Sequence, residues 1–559
     1  MKKTLRFSLL LLMIASVVSS CHKSPKQTQY IPKDATFVIG INPESLQEKL
    51  AANHLNLDSL FNSFTDTNSV SSYFRIKNWN DIRTSGIDWE NNIYVFVNSS
   101  GSIMNGQTTS TGVVAVMKNQ SDFETFLKKQ YSNIDIKKAS NYSYAILKDG
   151  NAAGWNSDII ILSNANLSTM VPYQTSPNTF NNKDTAAQKQ LATLFAQKED
   201  QSVASISQFK DLSTQKADML FWTNSNSSFA TIPFIGMTKA ADLFKDSYTA
   251  GTINFEDGEA KMQTKSYAGK DLKEILNKYK GSTVNMDMVD KYPSSVNGFS
   301  VFSFNPQMLG DIIKYIGFDA TANQYFQQMG FTLDDVLKAF KGDFAIVVSD
   351  VGTEEKPNEF APGETTKKPT AKFIFNAAIG DKASYNKIAA ALAAKGWMVQ
   401  RNGQYVPAEM GGSAMSVDDK NLIVASDSIL LQQYKLASAG KAAIPSDVAG
   451  KAKGSAVDFY VDISSILKAY SANNSPENNI VLDKAKQTFK DVLFTGSNFD
   501  GSAVNGTFEL RTMNDKENSL ATLVKFFSTA AATYKNTNKN LPGMQNMDTI
   551  PPANDSLSH

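Results

Sequence analysis

The chain has 559 residues, 42% of them hydrophobic, with 55 Lys+Arg, 54 Asp+Glu and a single cysteine. This length allows two to four domains, each with its own core. The near-balance of charge argues against a protein that binds nucleic acid, and one cysteine excludes a framework of disulfides.

The first twenty residues are typical of a secretory signal peptide. Basic residues at positions 2, 3 and 6 precede an apolar run, Phe7 to Val18, that is too short to span a bilayer as a permanent helix. Val-Ser-Ser-Cys at 18–21 matches the bacterial lipoprotein pattern, in which an acylated cysteine follows an aliphatic residue and two small ones. We predict a signal peptide over 1–20 and a lipidated Cys21; the alternative is an ordinary signal peptide before an incidental cysteine.

The residues after Cys21 predict a short tether. Positions 22–29 are polar, include a proline and show no periodicity, so we assign 21–29 to a lipidated tether between membrane and body. Without residues 1–20 the chain carries 52 Lys+Arg against 54 Asp+Glu. Such a chain has no excess of positive charge to hold it on anionic lipid, so the acyl group is its predicted attachment to the membrane.

The body begins near residue 30 with a strand, followed by a helix that Pro43 starts. Further alternation of apolar and polar residues predicts more strands, and Phe123, Phe126 and Leu127 mark a helix. Asp257-Gly258 is a hairpin signal. The predicted strands of this half are 36–42, 92–97, 112–117, 158–162, 219–223 and 261–267.

The same order of landmarks recurs about 240 to 265 residues later. Asn42-Pro43 has a counterpart in Asn305-Pro306, and Asp257-Gly258 has one in Asp500-Gly501. The sequence therefore predicts an α+β fold with mostly antiparallel sheets and packed helices, in two similar consecutive halves, 30–285 and 286–535, that arose by internal duplication. The tail 536–559 lacks periodicity and is predicted to be disordered. The strands of the second half are 298–304, 344–348, 372–378, 421–425, 458–462 and 504–510.

Two long polar stretches, 98–111 and 350–370, occupy equivalent places in the two halves and are predicted to be loops. Binding residues often lie on long loops carried by a rigid scaffold. The alternative is that both stretches are merely tolerated insertions. The candidate binding residues are Asn98, Asn105, Thr111, Asp350, Asn358 and Thr370.

Few residues of the chain suit catalysis. His54 is the only histidine of the predicted body, and no phosphate-binding glycine motif occurs, which argues against triads, zinc sites and nucleotide binding. We therefore predict that the protein is not an enzyme and uses no metal or cofactor. Three acid pairs leave a carboxylate-dependent hydrolase open as an alternative, although each pair fits a turn or a helix start. The pairs are Asp88 with Glu90, Asp334 with Asp335, and Asp418 with Asp419.

The five tryptophans allow a second kind of ligand. Aromatic side chains gathered on one exposed face would form a surface for sugars, whereas the simpler interpretation places them in the core. Trp222 lies inside a predicted strand and Trp397 follows a predicted helix, so both are expected to be buried. The others are Trp79, Trp89 and Trp155.

The run YIPKDATFVIGINP at 30–43, following a lipoprotein signal, resembles an uncharacterised family of Bacteroidetes lipoproteins known as domain of unknown function 4836. The resemblance implies an envelope location and no active-site residue. Lipoproteins that reach the cell surface in this phylum tend to carry acidic residues after the cysteine, whereas His22, Lys23 and Ser24 follow it here. We therefore predict an outer-membrane anchor with the body facing the periplasm.

These observations together predict a lipid-anchored protein of the cell envelope that acts by binding or as a scaffold and not by catalysis. Its expected contacts are the membrane, through Cys21, and either an envelope protein or a glycan, with no nucleic acid or nucleotide. A glycan-binding lipoprotein and, less favoured, a hydrolase are the alternatives.

Overall fold

The structure is a computed structural model. It describes residues 24–539 apart from 56–78, 103–105, 132, 148–149, 169–182, 231–238, 280, 359–362, 402, 409–411, 438–443 and 471–475. Among the described residues, no helix has the length and hydrophobicity needed to cross a membrane.

Helices and strands alternate irregularly along the chain, as the sequence predicts for an α+β fold. The strands are β1 (Phe37–Ile41), β2 (Ile93–Ser102), β3 (Gly106–Val116), β4 (Ile136–Lys138), β5 (Ser143–Ile146), β6 (Asn151–Trp155), β7 (Ile159–Ser168), β8 (Met219–Asn224), β9 (Tyr248–Glu256), β10 (Glu259–Tyr267), β11 (Gly298–Ser303), β12 (Phe340–Pro357), β13 (Thr365–Ile379), β14 (Met398–Arg401), β15 (Gln404–Pro407), β16 (Ala414–Val417), β17 (Asn421–Ala425), β18 (Val457–Val461), β19 (Phe489–Gly496) and β20 (Ala503–Thr512).

The helices lie on both faces of the sheet. They are α1 (Pro43–Ala52), α2 (Trp79–Arg83), α3 (Gln120–Gln130), α4 (Lys183–Ala196), α5 (Ser207–Ser213), α6 (Ser225–Ala230), α7 (Ala240–Leu243), α8 (Lys270–Lys278), α9 (Asp287–Asp290), α10 (Pro306–Tyr315), α11 (Asp319–Met329), α12 (Leu333–Ala339), α13 (Lys382–Ala394), α14 (Ser428–Leu436), α15 (Ser446–Ala452), α16 (Ile463–Tyr470), α17 (Pro476–Thr488) and α18 (Ser519–Lys539), with short 3-10 helices at Lys26–Tyr30, Glu199–Gln201 and Val203–Ser205.

The two Asn-Pro motifs start helices for the reason that the sequence suggests. The side chain of Asn42 accepts a hydrogen bond from the backbone N–H of Ser45 at 3.1 Å, and Pro43 stands at the first position of α1. Asn305 caps α10 in the same way, through the backbone N–H of Gln307 at 3.0 Å. Each asparagine satisfies an amide that the first helical turn leaves free, and the proline has no N–H that would need a partner.

The main strands of the first half pair antiparallel in the order β7-β3-β2-β1-β8-β9-β10. The second half has the equivalent order β17-β13-β12-β11-β18-β19-β20, again antiparallel. The two sets join into one sheet through nine cross-strand pairs between β10 and β20, from Glu259↔Arg511 to Tyr267↔Ala503. We call this β10–β20 contact the seam. The sequence predicts the strands but not their fusion into one sheet.

The core lies mainly on one face of this sheet, which we call the front face. In the first half it carries Phe96 and Trp222, which pack against α4 and α5. In the second half it carries Val301 and Tyr460, which pack against α9 and α14. The back face carries a smaller core cluster in each half, beneath α3 and α13.

The predicted tether 21–29 is wrong over most of its described length. Residues 26–30 form a 3-10 helix in which Gln27 and Thr28 are buried. The Gln27 amide donates to the backbone carbonyl of Asn92 at 2.9 Å. The Thr28 hydroxyl donates to the backbone carbonyl of Pro25 at 2.7 Å. Polar composition suggested a solvated linker, but both side chains have hydrogen-bond partners, one in the body and one in the segment itself, and can therefore be buried.

The two predicted loops are also wrong, because both stretches continue the flanking strands. β2 and β3 remain paired as far as Ser102↔Gly106, and β12 and β13 as far as Pro357↔Thr365. Thr is β-branched and favours strands, and oppositely charged residues pair across the second hairpin at Glu354↔Lys368. Polar residues on both faces therefore indicate a solvated two-stranded hairpin here and not a loop.

The predicted tail 536–559 begins inside a helix. α18 continues to Lys539, and residues 540–559 lie outside the described part of the chain.

Candidate functional site

The front face changes character at the seam. Three neighbouring cross-strand pairs, Lys265↔Asn505, Gln263↔Thr507 and Lys261↔Glu509, place polar side chains on this face. Thr252 on β9 and Thr495 on β19 extend the middle pair into a polar row across four strands. Side chains of directly opposed residues lie on the same face of a sheet. The seam therefore forms a polar floor between the two apolar cores of the front face.

A cavity of about 230 Å³ lies on this floor, and we call it the seam groove. Helix α5 packs on β9 and forms one wall with Gln208 and Leu212, and Gln215 lines the groove just beyond the end of the helix. The remaining polar lining comes from Thr252, Gln263, Thr264, Lys265, Tyr267, Asn505 and Thr507.

The floor continues beyond the groove into a cluster of charges. Glu509, only 3% exposed in its side chain, is paired with Lys451 and lies 3.7 Å from the Lys261 ammonium. Burial raises the pKa of Glu259, and the charge of Glu509 raises it further, while Lys261 and Lys451 oppose both effects. The lysines thus compensate buried negative charge that would otherwise be costly.

Arg511 holds the far end of this cluster together. Its guanidinium binds Asp491 through two hydrogen bonds, Nε to Oδ1 at 2.5 Å and Nη2 to Oδ2 at 2.8 Å, and it also contacts Asp447. Burial opposes the charged form of Arg511, but the two carboxylates outweigh it and raise its pKa. This planar, two-point geometry is the one in which an arginine–carboxylate pair is strongest.

The polar row that crosses the seam ends at a buried acid. Thr507 lies opposite Thr495, which lies opposite Asp458, and Asp458 is fully buried. The Ser455 hydroxyl donates to its Oδ2, while Oδ1 has no hydrogen-bond partner among the described residues. Burial raises the pKa of Asp458 to about 6, against the opposing effect of Ser455.

The groove has the chemistry of a binding site for polar molecules. Its amides and hydroxyls both donate and accept hydrogen bonds, and Lys265 adds one positive charge. Within the described ranges, no group of three or more His, Cys, Asp or Glu side chains is arranged to hold a metal ion.

The three acid pairs serve turns and helix starts. An oxygen of Asp88 accepts from the backbone N–H two residues further on, at 3.0 Å. Asp418 accepts the N–H groups of its hairpin turn, both at 2.7 Å. Asp335 caps α12 together with Thr332, and its hydrogen bond with Lys387, followed by that with Thr332, lowers the pKa of Asp335 to about 2.

The structure does not bring the candidate binding residues together. Asn98 and Thr111 lie in the β2–β3 hairpin, and Asp350, Asn358 and Thr370 lie in or beside the β12–β13 hairpin. Eight strands separate β2 from β12, a span of roughly 43 Å at the usual strand spacing. None of the five lines the seam groove. Cys21 and Asn105 lie outside the described residues.

The tryptophans do not share one surface. Trp155 and Trp222 are fully buried, and Trp89 is half-buried. Trp397 is 60% exposed, so its predicted place in the core is wrong: it follows the end of α13 at a turn and is not inside a strand. The side chain of Trp79 is outside the described part of the chain.

The residues of the seam groove were missed by the sequence interpretation, although a signal was present. β10 and β20 carry polar residues at alternate positions that other central strands fill with Val, Phe or Trp. A strand with a polar front face is typical of an exposed sheet edge. Because two such edges pair with each other, they form a polar strip in the middle of a wide sheet.

Comparison with known proteins places the chain in a family. The family model described as "Domain of unknown function (DUF4836)" matches residues 27–468. The chain belongs to this family. No curated protein matches the chain. The description of the family names no activity.

One solved structure is similar to part of this chain. It is described as "Structure of crystal form III of TP0453", and the match has 8% sequence identity and a TM-score of 0.25. It covers 47% of this chain and 90% of that chain. A TM-score of this size does not establish a shared fold.

Proposed function

We propose that the protein is a non-catalytic binding protein of the cell envelope, anchored by a lipidated Cys21, and that its binding site is the seam groove. The observation that carries the proposal is the polar floor of the groove, to which strands of both halves contribute. Gln263 and Lys265 are exposed on this floor, so their polar groups are solvated in the free protein and available to hydrogen-bond a polar ligand.

The ligand would be a segment of an envelope protein or a glycan. Either would present hydroxyls and amides to Gln263, Asn505 and Thr507, which both donate and accept. The described tryptophans form no shared sugar platform, so no specific observation favours the glycan over the protein. The acid pairs serve as caps and turns, which supports binding over hydrolysis.

The packed N-terminal segment bears on how the protein would sit in the envelope. Lys26 begins the 3-10 helix Lys26–Tyr30 and pairs with Asp158 at 3.1 Å. Five residues of extended chain from Cys21 to Lys26 reach at most about 17 Å. The body of the lipidated protein would therefore lie close to the membrane surface, and not the roughly 25–30 Å away that a free tether over 22–29 allows.

Blocking the groove tests the binding proposal. In Gln263→Trp, a large ring on an exposed floor position fills the groove, so we expect recovery of a co-purifying partner from detergent-solubilised native membranes to fall about tenfold. Gln400→Trp is the matched control, because Gln400 is also an exposed glutamine on a short strand, far from the groove in sequence and sheet. Recovery of the wild-type chain without any reproducible partner would contradict the proposal.

Replacing the cysteine tests the anchor. We expect Cys21→Ser to abolish incorporation of labelled palmitate and to release the protein from the membrane fraction, because the substituted chain offers no thiol for acylation. Unchanged labelling of the variant, or an unmodified Cys21 in protein isolated from cells, would contradict lipidation.

We also propose that the two halves arose by internal duplication. Their seven-strand orders are equivalent, and the pairing of β10 with β20 relates them about an axis through Gln263 and Thr507. Family sequences aligned half against half should match residues 37–267 to 298–510 at equivalent strand positions. Unrelated patterns at those positions would contradict a common origin.

A further inference from the structure

A second cavity, of about 170 Å³, lies against β3, β6 and β7 of the first half, away from the seam groove. Val113 on β3 lies directly opposite Leu162 on β7, and the next pair on the same face is Thr111 with Asn164. Asn151 on β6 lies opposite Asn164 and extends that second row. A polar row across three strands therefore runs beside an apolar pair on β3 and β7.

The polar row and the apolar pair give the cavity two chemical ends. Val113, Leu162 and Leu147 supply hydrocarbon, and Leu147 is itself buried. At the other end, the amide of Asn164, 7% exposed, donates to the side-chain oxygen of Asn151 at 2.7 Å, beside the hydroxyl of Thr111. An apolar pocket with a few convergent polar groups is the usual form of a small-molecule site.

The second half shows that the fold does not require this cavity. Val97 and Val95 pair with Thr111 and Val113, just as Val348 and Ile346 pair with Phe373 and Phe375. Two aromatic rings thus occupy the positions of Thr111 and Val113, and the Phe375 ring packs against Phe344 with centroids 6.4 Å apart. The open space in the first half results from small side chains at two positions of a shared framework.

The volume limits what could enter. An engineered apolar cavity of about 150 Å³ binds benzene, so about 170 Å³ accommodates one ring. We propose that the first half binds a small, apolar, ring-shaped ligand with one hydrogen-bonding substituent. The ring lies on Val113 and Leu162, and the substituent meets the row of Thr111, Asn164 and Asn151. This site is independent of the polar ligand of the seam groove.

Titration calorimetry of the full mature chain with phenol and with benzene tests the proposal. We expect one binding site, with phenol bound about fivefold more tightly than benzene because its hydroxyl gains a hydrogen bond in the pocket. Absence of binding for both probes at millimolar concentration would overturn the proposed site. Equal affinities would overturn the role of the polar row.

A filled cavity provides the second test. Val113→Phe gives the first half the residue that the second half carries, and we expect it to weaken phenol binding by about tenfold or more, since the ring takes the ligand's space. Val424→Phe, on the equivalent face of the second half, is the matched control and should bind as the wild type does.

Thr111→Val provides a further test that does not require Val113→Phe to fold. This variant preserves shape and removes one hydroxyl, so phenol affinity should fall about threefold while benzene affinity stays the same. Binding of phenol to folded Val113→Phe at wild-type affinity would contradict the proposal.

Discussion

Substitution of Arg511 by Met is expected to lower the free energy of unfolding by about 3–5 kcal/mol. Asp491 is 3% exposed in its side chain and receives two hydrogen bonds from the guanidinium. Met fills a similar space but leaves this carboxylate charged, buried and without its main partner. Urea denaturation followed by circular dichroism measures the change through the shift of the midpoint.

A surface pair of the same charges provides the control. Lys338 and Asp334 are one helical turn apart on α12, 2.6 Å from nitrogen to oxygen, and both are more than half exposed. Lys338→Met should therefore change stability by no more than about 0.5 kcal/mol. Equal effects of the two substitutions would show that burial at the seam does not strengthen the Arg511–Asp491 interaction.

Asp458→Asn is expected to change the free energy of unfolding differently at the two ends of the pH range. Its effect should be about 2–3 kcal/mol more stabilising at pH 8 than at pH 4. The carboxyl is fully buried, with a pKa raised to about 6, whereas an unfolded chain has an ordinary aspartate. The Asp458 carboxyl therefore keeps its proton to a higher pH in the folded state than in the unfolded state. Wild-type stability should fall as the pH rises from about 4 through 6, and the penalty is complete above that range.

The amide that Asp458→Asn introduces carries no charge at any of these pH values, so the variant should lack this fall in stability. Measuring the difference between variant and wild type at pH 4 and at pH 8 removes any constant packing effect of the substitution. A difference in unfolding free energy that is the same at both pH values would contradict a neutral Asp458 in the folded protein.

Much of the local structure follows from the sequence alone. Asn42-Pro43 and Asn305-Pro306 specify helix starts because capping depends on residues adjacent in the chain. The predicted strand 219–223 and the helix around Phe123 are found nearly at their expected bounds, since periodicity reports burial on one face.

The errors arise where distant residues decide the outcome. Gln27 is polar and near a terminus, yet its hydrogen bond to the backbone carbonyl of Asn92, 65 residues away, allows it to be buried. The stretches around Asn98 and Asp350 are polar on both faces, which suits a solvated hairpin as well as a loop. The seam depends on the pairing of Gln263 with Thr507, which are 244 residues apart, and no local pattern reports that contact.

The most direct test of binding at the seam is photo-crosslinking in intact cells from a benzophenone side chain placed at position 263, with position 400 as control. The proposal predicts a discrete adduct of higher mass from position 263 and none from position 400. No adduct from either position, or the same adducts from both, would contradict a binding site in the seam groove.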